Sequence, residues 1–211
     1  MIFKDRKDAA RKLLSLIKKS PEIKRFKPII VSLLRGGIVL GALITTELNT
    51  QHLPLVVTKI PSPHNPELAI GAICFDVTYL EKRVVQFLGL KKKEISAQIK
   101  IAEHKFIQYC QWFSLKENLY KSLKNKVVIL VDDGVATGAS VKAALLFLKS
   151  KKPKKIILAV PVASTDFEIK GVKQYVLHRD PNFTSVSQFY RNFPQVEDRE
   201  VKKLLYNQTI R

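Results

Sequence analysis

The sequence has few of the features that mark secreted, membrane or repeat proteins. Only two of its 211 residues are cysteines, Cys74 and Cys110, with no CxxC pair, so neither a disulfide framework nor a zinc site is predicted and inert buried thiols are expected. No apolar run approaches the roughly 20 residues of a membrane-spanning helix. The first residues also lack the apolar stretch of a signal peptide. We therefore expect a cytoplasmic protein without membrane segments.

Acidic residues are scarce relative to basic ones. The chain has 37 Lys and Arg against 18 Asp and Glu, a formal net charge of +19. Such an excess attracts polyanions, which include nucleic acid, acidic lipid headgroups and small phosphorylated substrates, and the sign of the charge does not choose among them. The clusters at Lys91–Lys93 and Lys149–Lys155 also fit solvated helix ends.

Apolar runs of strand length alternate with amphipathic segments along the chain. Strands are predicted at 29–34, 55–60, 127–131, 156–160 and 174–177, and further short strands at 69–75 and 83–87. Helices are predicted after Asp5 and at 38–48, 91–119, 140–149, 165–170 and 197–206. This alternation predicts an α/β fold, a parallel sheet with helices on both faces. We expect one domain over 1–211, with an inserted lid region at about 61–120 and a C-terminal hood at about 178–211.

The segment from Val127 to Ser140, VVILVDDGVATGAS, is the most informative part of the chain. A buried strand delivers Asp132 and Asp133 at its carboxyl end, where ligands bind in open α/β sheets. The loop that follows has small residues, so its backbone N–H groups can converge on an anion at the start of the next helix. Carboxylates suit sugar hydroxyls or hydrated Mg²⁺. The segment therefore predicts a site for a phosphorylated sugar.

This segment resembles the signature of the type I phosphoribosyltransferases, whose donor is 5-phosphoribosyl-1-pyrophosphate (PRPP). P-loop and dinucleotide fingerprints are absent from the chain. The resemblance implies that Asp132 and Asp133 are catalytic and bind the ribose hydroxyls, directly or through Mg²⁺. It also implies a loop for the 5-phosphate, made of Gly134, Ala136, Thr137, Gly138, Ala139 and Ser140.

Two further positions look like the pyrophosphate-binding part of the same family. Arg35-Gly36-Gly37 lies between the first sheet strand and its helix, as the family's pyrophosphate loop does, although alone it also fits a generic turn. Lys59, expected at the end of the second strand, looks like the family's basic residue facing pyrophosphate. Many relatives have arginine before it, where this chain has Thr58.

The remaining resemblance is to a narrower subgroup of predicted phosphoribosyltransferases with no assigned acceptor. The matching segments are FKDRKDAARKL near the start, NPELAIGAI at Asn65 to Ile73, and QFYRNFPQVEDREV at Gln188 to Val201. Asp180 and Phe183 follow a strand end and are the acceptor candidates, since an aromatic ring can stack on a planar base. A core role for Phe183 is equally expected. The segment Pro61–Gly71, with three prolines, is either a lid or a stiff surface loop.

The leading hypothesis is a Mg²⁺-dependent phosphoribosyltransferase, a pentosyl-transferring glycosyltransferase of nucleotide metabolism. It would transfer the phosphoribosyl group to or from a nucleobase-like or other nitrogen acceptor, with pyrophosphate as co-product. The net positive charge supports a second hypothesis, in which the protein is a non-catalytic sensor of PRPP or nucleotides and binds RNA or DNA through a basic surface. No recognisable nucleic-acid-binding motif is present in the sequence. A hydrolase that transfers to water is the third. The resemblance is also compatible with a homodimer.

Overall fold

The computed structural model describes the backbone of residues 1–209 and the side chains of residues 1–205. The chain forms two compact units. The parallel-sheet unit comprises Met1–Leu55, Ser122–Ala136 and the chain from Lys152 onward, and the hairpin unit comprises Val56–Lys121 and Thr137–Lys151. That these units act as the single domain expected from the sequence stays a prediction.

The described chain contains eight strands and seven α-helices. The strands are β1 (Ile29–Leu33), β2 (His52–Leu55), β3 (Thr58–Pro61), β4 (Ala69–Cys74), β5 (Val77–Leu80), β6 (Val127–Val131), β7 (Lys155–Ser164) and β8 (Lys173–Asp180). The helices are α1 (Arg6–Ile17), α2 (Pro21–Arg25), α3 (Gly37–Leu48), α4 (Lys82–Phe87), α5 (Lys92–Trp112), α6 (Ala139–Ser150) and α7 (Asp198–Thr209). Short 3₁₀ helices span Glu117–Leu123 and Val186–Phe189.

The parallel-sheet unit contains five parallel strands in the order β2-β1-β6-β7-β8. Strands β1 and β6 are buried along their whole length, as their continuous apolar runs predict for a sheet covered by helices. Helices α1 and α3 pack together and place Leu13, Ile17 and Ile44 in one apolar core with Ile129 and Ile157 of the sheet. The predicted α/β fold with a parallel sheet flanked by helices is confirmed.

The hairpin unit contains an antiparallel sheet in the order β3-β4-β5, against which α5 and α6 pack. Its core has an aromatic cluster, in which the Phe75 ring stacks on Phe147 at 4.7 Å and meets Phe106 and Tyr120 edge-on. Both cysteines belong to this unit. Cys74 is buried and Cys110 is partly buried, and burial raises the pKa of each thiol, that of Cys110 to about 11.

Two strand predictions are wrong in this region. The apolar run 55–60 is two strands, because the chain leaves the parallel sheet after Leu55 and enters the antiparallel sheet at Thr58. An apolar run indicates burial but does not reveal a change of sheet. The predicted strand 83–87 is helix α4, and the strand that was missed, β5, lies just before it. Paired valines favour a strand, but here the tertiary structure overrides that weak preference.

Two helix predictions also need correction. The predicted helix 91–119 ends at Trp112, because Ser114 adopts a left-handed backbone (φ +54°) and a 3₁₀ helix follows from Glu117. The predicted helix 165–170 does not form; a turn at Thr165 and Asp166 and an irregular segment at 167–169 connect β7 to β8. By contrast, Asp5 caps α1 as predicted, with its carboxylate accepting a hydrogen bond from the Asp8 N–H.

The predicted lid segment Pro61–Gly71 is mostly a β-hairpin connection. Pro61 ends β3, and residues from Ala69 onward belong to β4. The Ser62 N–H donates to the Leu68 carbonyl at 2.8 Å and closes the loop between them. The role of this loop as a lid stays a prediction.

The C-terminal segment carries the predicted closing helix, expected at 197–206 and observed as α7. Residues 210 and 211 of the predicted hood lie outside the described residues. No helix in the described part of the chain is long and apolar enough to cross a membrane.

Candidate functional site

The carboxyl ends of β1 and β6 form the topological switch point of the parallel sheet. In the order β2-β1-β6-β7-β8 the chain runs from β1 outward to β2, and from β6 in the opposite direction to β8. Ligands of open α/β sheets bind in the crevice at such a point. Arg35–Gly37 follows β1, and Asp132 and Asp133 follow β6. The fold therefore brings these two predicted segments together.

Two glycines let the turn after β1 lie directly against the end of β6. A methyl group at Gly36 would lie 1.9 Å from Oδ2 of Asp133, and one at Gly37 would lie 2.8 Å from the carbonyl oxygen of Val131. At such separations a side chain at either position would force the turn or the end of β6 to move, so both positions favour glycine. The peptide bond between Leu34 and Arg35 is cis. The predicted pyrophosphate loop and the acidic pair are thus in contact.

The Arg35 side chain is held by the C-terminal helix. Its Nη1 donates to Oδ1 of Asp198 at 3.2 Å, and the two side chains are 26% and 33% exposed. Ion pairs with this degree of exposure contribute about 0–1 kcal/mol. The Arg35 guanidinium can therefore exchange Asp198 for an incoming anion at low cost in free energy.

Asp133 is held from two sides. Nε of Arg6 donates to its Oδ2 at 2.8 Å, and the Tyr190 hydroxyl donates to its backbone carbonyl at 2.6 Å. Burial raises the pKa of Asp133 above its usual value, while the charge and hydrogen bond of Arg6 act in the opposite direction. Burial and the neighbouring acids likewise raise the pKa of the Tyr190 hydroxyl, which stays a donor.

Arg6 also ties helix α1 to the C-terminal segment. Its Nη1 donates to the Pro194 carbonyl at 2.6 Å, and its guanidinium lies 3.7 Å from the centroid of the Phe193 ring. The residue is only 8% exposed. A buried cation with a carboxylate, a carbonyl and an aromatic face as partners fixes both ends of the chain beside the acidic pair.

Three residues at this site were missed by sequence reasoning: Arg6, Tyr190 and Asp198. All three lie within the terminal segments that resemble the narrower subgroup. That resemblance indicates a functional role for these segments but does not identify the residues that they contact. Only the fold brings residues so far apart in the sequence to the end of β6. No local pattern indicates such long-range pairs.

The donor set at the end of β6 fits Mg²⁺. Asp132 is partly exposed, and its Oδ1 accepts a hydrogen bond from the Asp133 N–H at 2.9 Å. Among residues 1–205 no group of three or more His, Cys, Asp or Glu side chains could hold a metal ion by itself. Mg²⁺ is usually bound by one or two carboxylates together with water and substrate phosphates. The acidic pair can supply the protein's share of such a site.

The first half of the predicted 5-phosphate loop packs within the parallel-sheet unit. A methyl group at Gly134 would lie 2.6 Å from Cγ1 of Val186 and 2.8 Å from Cγ2 of Val162, so glycine is required there. The Val135 N–H donates to the Val162 carbonyl at 2.9 Å. This half of the loop is thereby fixed to the end of β7.

The second half of the loop leads into helix α6 of the hairpin unit, and the boundary between the units falls between Ala136 and Thr137. Gly138 has a left-handed backbone (φ +80°), which glycine adopts without steric cost. Ala139 then begins α6, whose first N–H groups have no partner within the helix. Thr137 is exposed and Ser140 is partly exposed. A small-residue loop before a helix start is an arrangement that binds phosphate.

Lys59 lies in the hairpin unit and not in the parallel sheet. It is the second residue of β3, pairs with Ala72 of β4, and has an exposed side chain. The prediction that it ends the second strand of the parallel sheet is therefore wrong. Thr58, at the position where many relatives have arginine, is buried. The role of Lys59 towards pyrophosphate stays a prediction.

Both acceptor candidates have partners in the protein. Asp180, the last residue of β8, accepts a hydrogen bond from the Asn182 N–H at 2.8 Å and lies 3.2 Å from Nε2 of His178. The hydrogen bond from Asn182 has the largest effect and lowers the pKa of Asp180, and the contact with His178 acts in the same direction. The Phe183 ring stacks on the buried ring of Phe189 at 5.2 Å. One face of Phe183 is therefore part of an apolar cluster.

Comparison with known proteins points to one family. Residues 2–193 match the model of the phosphoribosyl transferase domain. A Mycobacterium tuberculosis protein whose name assigns it provisionally to the phosphoribosyl transferases is 31% identical over 209 residues, covering 97% of this chain and 46% of that protein. The chain thus spans about half the length of the curated relatives it matches.

Solved structures share the fold. The crystal structure of TT1426 from Thermus thermophilus is similar with a TM-score of 0.73 and 26% identity, covering 99% of each chain. A purine phosphoribosyltransferase from Pyrococcus horikoshii has a TM-score of 0.50 and 14% identity, covering 88% of each chain. The second similarity concerns the fold alone.

Proposed function

Because the chain belongs to the phosphoribosyltransferase family, we propose that it binds PRPP with Mg²⁺ and transfers the phosphoribosyl group to or from a nitrogen acceptor. The acceptor would be a nucleobase-like or other nitrogen compound, and pyrophosphate would be the co-product. The observation that carries the proposal is the contact of the Arg35-Gly36-Gly37 turn with the acidic pair at the switch point. An anion-binding turn beside carboxylates suits a ligand with a sugar and a diphosphate.

In this reaction the bond between the ribose C1 and the pyrophosphate oxygen breaks, with the electron pair leaving on pyrophosphate, and the acceptor nitrogen forms a bond to C1 and releases its proton to water. The ribose gains positive charge and the leaving group gains negative charge, so the protein acts mainly by positioning and electrostatics. Asp132 and Asp133 would hold the ribose hydroxyls. Bound Mg²⁺ would offset the charge of the diphosphate, with the acidic pair as its protein ligands.

The remaining predicted residues would bind the two anionic parts of PRPP, the 5-phosphate and the pyrophosphate. The loop from Gly134 to Ser140 would bind the 5-phosphate with its backbone N–H groups and the start of α6. Arg35 would bind the pyrophosphate after leaving Asp198, with Lys59 as a second cation. Phe183, which is partly exposed, would supply the stacking surface for a planar acceptor.

The hydrogen bonds of Asp133 give the two acids different tasks. Its Oδ2 is occupied by Arg6, and its backbone carbonyl by Tyr190. Asp133 would therefore contribute its second carboxylate oxygen in a fixed orientation, and Asp132, whose Oδ1 accepts the Asp133 N–H, would contribute the neighbouring carboxylate. Arg6 is in this view a positioning residue that acts through Asp133.

The direct test is titration calorimetry of the purified protein with PRPP in the presence of Mg²⁺, followed by a screen of nucleobases and simple amines for pyrophosphate release. We expect PRPP binding that is lost in Asp132→Asn, because the neutral side chain no longer offers two anionic oxygens. Glu103→Gln on helix α5 is the matched control, since it removes one exposed carboxylate from the hairpin unit.

Two results would contradict the proposal. The first is the absence of PRPP binding by the folded wild type, and the second is unchanged binding by the Asp132→Asn variant. Breakdown of PRPP at the same rate with and without every acceptor would instead identify a hydrolase.

A further inference from the structure

The amino ends of the sheet strands, opposite the candidate site, carry a row of lysines. In the sheet register Ile29 of β1 is level with Val128 of β6, and Val127 with Lys155 of β7. Extended towards the amino ends of the strands, this register aligns Lys27 with Lys126 and Lys126 with Lys154. The three lysines therefore lie side by side at the starts of three adjacent strands. The Lys154 N–H donates to the Lys126 carbonyl at 2.8 Å, which confirms the alignment there.

This amino-edge face is strongly basic. The segments 21–28, 124–127 and 152–155 hold eight basic residues and a single acid, Glu22. Glu22 binds Lys155 and, at 2.9 Å, Lys173 of the neighbouring strand β8, so its charge is already neutralised. All eight basic residues of the face are exposed, and seven of them do not bind Glu22: Lys24, Arg25, Lys27, Lys124, Lys126, Lys152 and Lys154.

The backbone under these lysines is held in place. The Asn125 N–H donates to the Lys152 carbonyl at 3.0 Å, so the two connections that precede β6 and β7 are bonded to each other. Lys154 lies 4.1 Å above the Phe26 ring, which links the same face to the segment before β1. Neighbouring strands are about 4.8 Å apart, so the backbone positions that carry these lysines are spaced regularly across the sheet edge.

The regular spacing and the lack of apolar side chains favour one kind of polyanion. A membrane-binding face combines basic residues with exposed apolar ones that insert. The exposed large apolar residues of the described chain lie elsewhere: Met1, Ile2, Phe87, Ile101, Ile107, Trp112, Leu119 and Leu146. Unpaired nucleic-acid strands bind by stacking bases on aromatic rings. Phe26, the single aromatic residue of the segments 21–28, 124–127 and 152–155, packs against the apolar core and has the Lys154 ammonium group 4.1 Å from its ring centroid.

We propose that the amino-edge face binds the sugar–phosphate backbone of a nucleic-acid duplex without reading its sequence. A duplex presents phosphates at regular intervals along its axis, which suits a row of lysines carried by a fixed sheet edge. This face lies at the opposite edge of the sheet from Asp132 and Asp133, so the inference does not depend on the proposed enzymatic function.

The test is fluorescence anisotropy of a short labelled DNA duplex, titrated with the full chain between about 50 and 200 mM salt. The test variant carries Lys27→Gln, Lys126→Gln and Lys152→Gln together. The matched control carries Lys92→Gln, Lys93→Gln and Lys100→Gln on helix α5, which removes the same charge from exposed positions in the hairpin unit. Thermal unfolding of both variants verifies that they are folded.

We expect the test variant to bind about tenfold more weakly or worse, and the slope of log affinity against log salt to fall by about 1 per lysine removed. The control variant should keep wild-type binding within about twofold. Equal losses in both variants, or no duplex binding by the wild type, would overturn the proposal. So would tighter binding of single strands, or of anionic phosphatidylserine vesicles, than of the duplex.

Discussion

At the residue scale, the candidate site depends on contacts that leave no space for larger groups. Gly36 touches the carboxylate of Asp133, which is in turn bonded to Arg6. A change at any of these three residues therefore moves the others. Two substitutions test this dependence. Gly36→Ala adds a methyl group beside the carboxylate of Asp133, and Arg6→Ala removes the positive charge bound to it.

Gly36→Ala should damage the site. The added methyl group would lie 1.9 Å from Oδ2 of Asp133, so either the turn or the carboxylate must move. We expect PRPP binding to weaken by at least about tenfold and stability to fall by about 1–3 kcal/mol, as measured by calorimetry and urea unfolding. Gly171→Ala is the control for PRPP affinity: its added methyl group has no atom within 4 Å, and although its left-handed backbone (φ +75°) makes alanine costly in stability, its PRPP affinity should stay unchanged. An unchanged PRPP affinity in Gly36→Ala would contradict the assigned contact.

Arg6→Ala should make stability more dependent on pH. Because the folded chain keeps the Asp133 proton at pH values where the unfolded chain has lost it, stability falls as pH rises from the usual aspartate range to the raised pKa. Without Arg6 that pKa rises further, so the loss of stability extends to higher pH. At neutral pH we expect a loss of about 3–5 kcal/mol from the unpaired buried carboxylate.

Urea unfolding of Arg6→Ala over a pH series measures both effects. Arg11→Ala, an exposed position on the same helix, controls for the change of residue type. Arg6→Lys should restore part of the stability, because lysine supplies the charge but not the second hydrogen bond to Pro194. Parallel pH profiles for Arg6→Ala and the wild type would show that Arg6 does not influence the Asp133 proton.

At the scale of elements, the two terminal helices supply charged partners to the site. Helix α1 begins with Arg6, which binds Asp133, and helix α7 begins with Asp198, which binds Arg35. Each contact is made by a residue in the first turn of its helix. The Asp133 contact is buried and the Arg35 contact is partly exposed, so the two should differ in strength.

Asp198→Asn should release Arg35 with little cost in stability. The partly exposed ion pair contributes no more than about 1 kcal/mol, and the freed guanidinium should bind pyrophosphate more readily. We expect the Kd for inorganic pyrophosphate, measured by calorimetry, to fall severalfold. Glu200→Gln on the same helix removes one exposed charge and should leave the Kd unchanged. Weaker pyrophosphate binding by Asp198→Asn would argue against a role for Arg35.

The elements that were predicted from sequence are those whose signals are local. Strand β6, its two acids and the small loop lie within fourteen consecutive residues, Val127 to Ser140, and the pattern indicates them directly. The placement of Lys59 could not be predicted, because an apolar run looks the same whether or not the chain changes sheets. The partners of Asp133 could not be predicted either, since they come from opposite ends of the chain.

At the scale of the whole molecule, the chain passes between its two compact units four times, after Leu55, Lys121, Ala136 and Lys151. Each unit is thus assembled from separate stretches of sequence. Units that are discontinuous in this way cannot be separated by a single cut. This organisation favours cooperative unfolding over independent melting of two parts.

We therefore expect one thermal transition. Trp112, the single tryptophan, belongs to the hairpin unit, so its fluorescence reports on that unit, whereas far-ultraviolet circular dichroism reports on helices throughout the chain. The two midpoints should coincide within error. Midpoints that differ by several degrees would contradict the single domain expected from the sequence.

The two protonated thiols also make the chain convenient for site-directed labelling. Cys74 is buried and the pKa of Cys110 is about 11, so neither forms much of the reactive thiolate near neutral pH. A cysteine introduced at an exposed position such as Lys24 or Thr137 would react with maleimide dyes much faster than either native thiol. Distance measurements between fluorophores could then begin from the unaltered background.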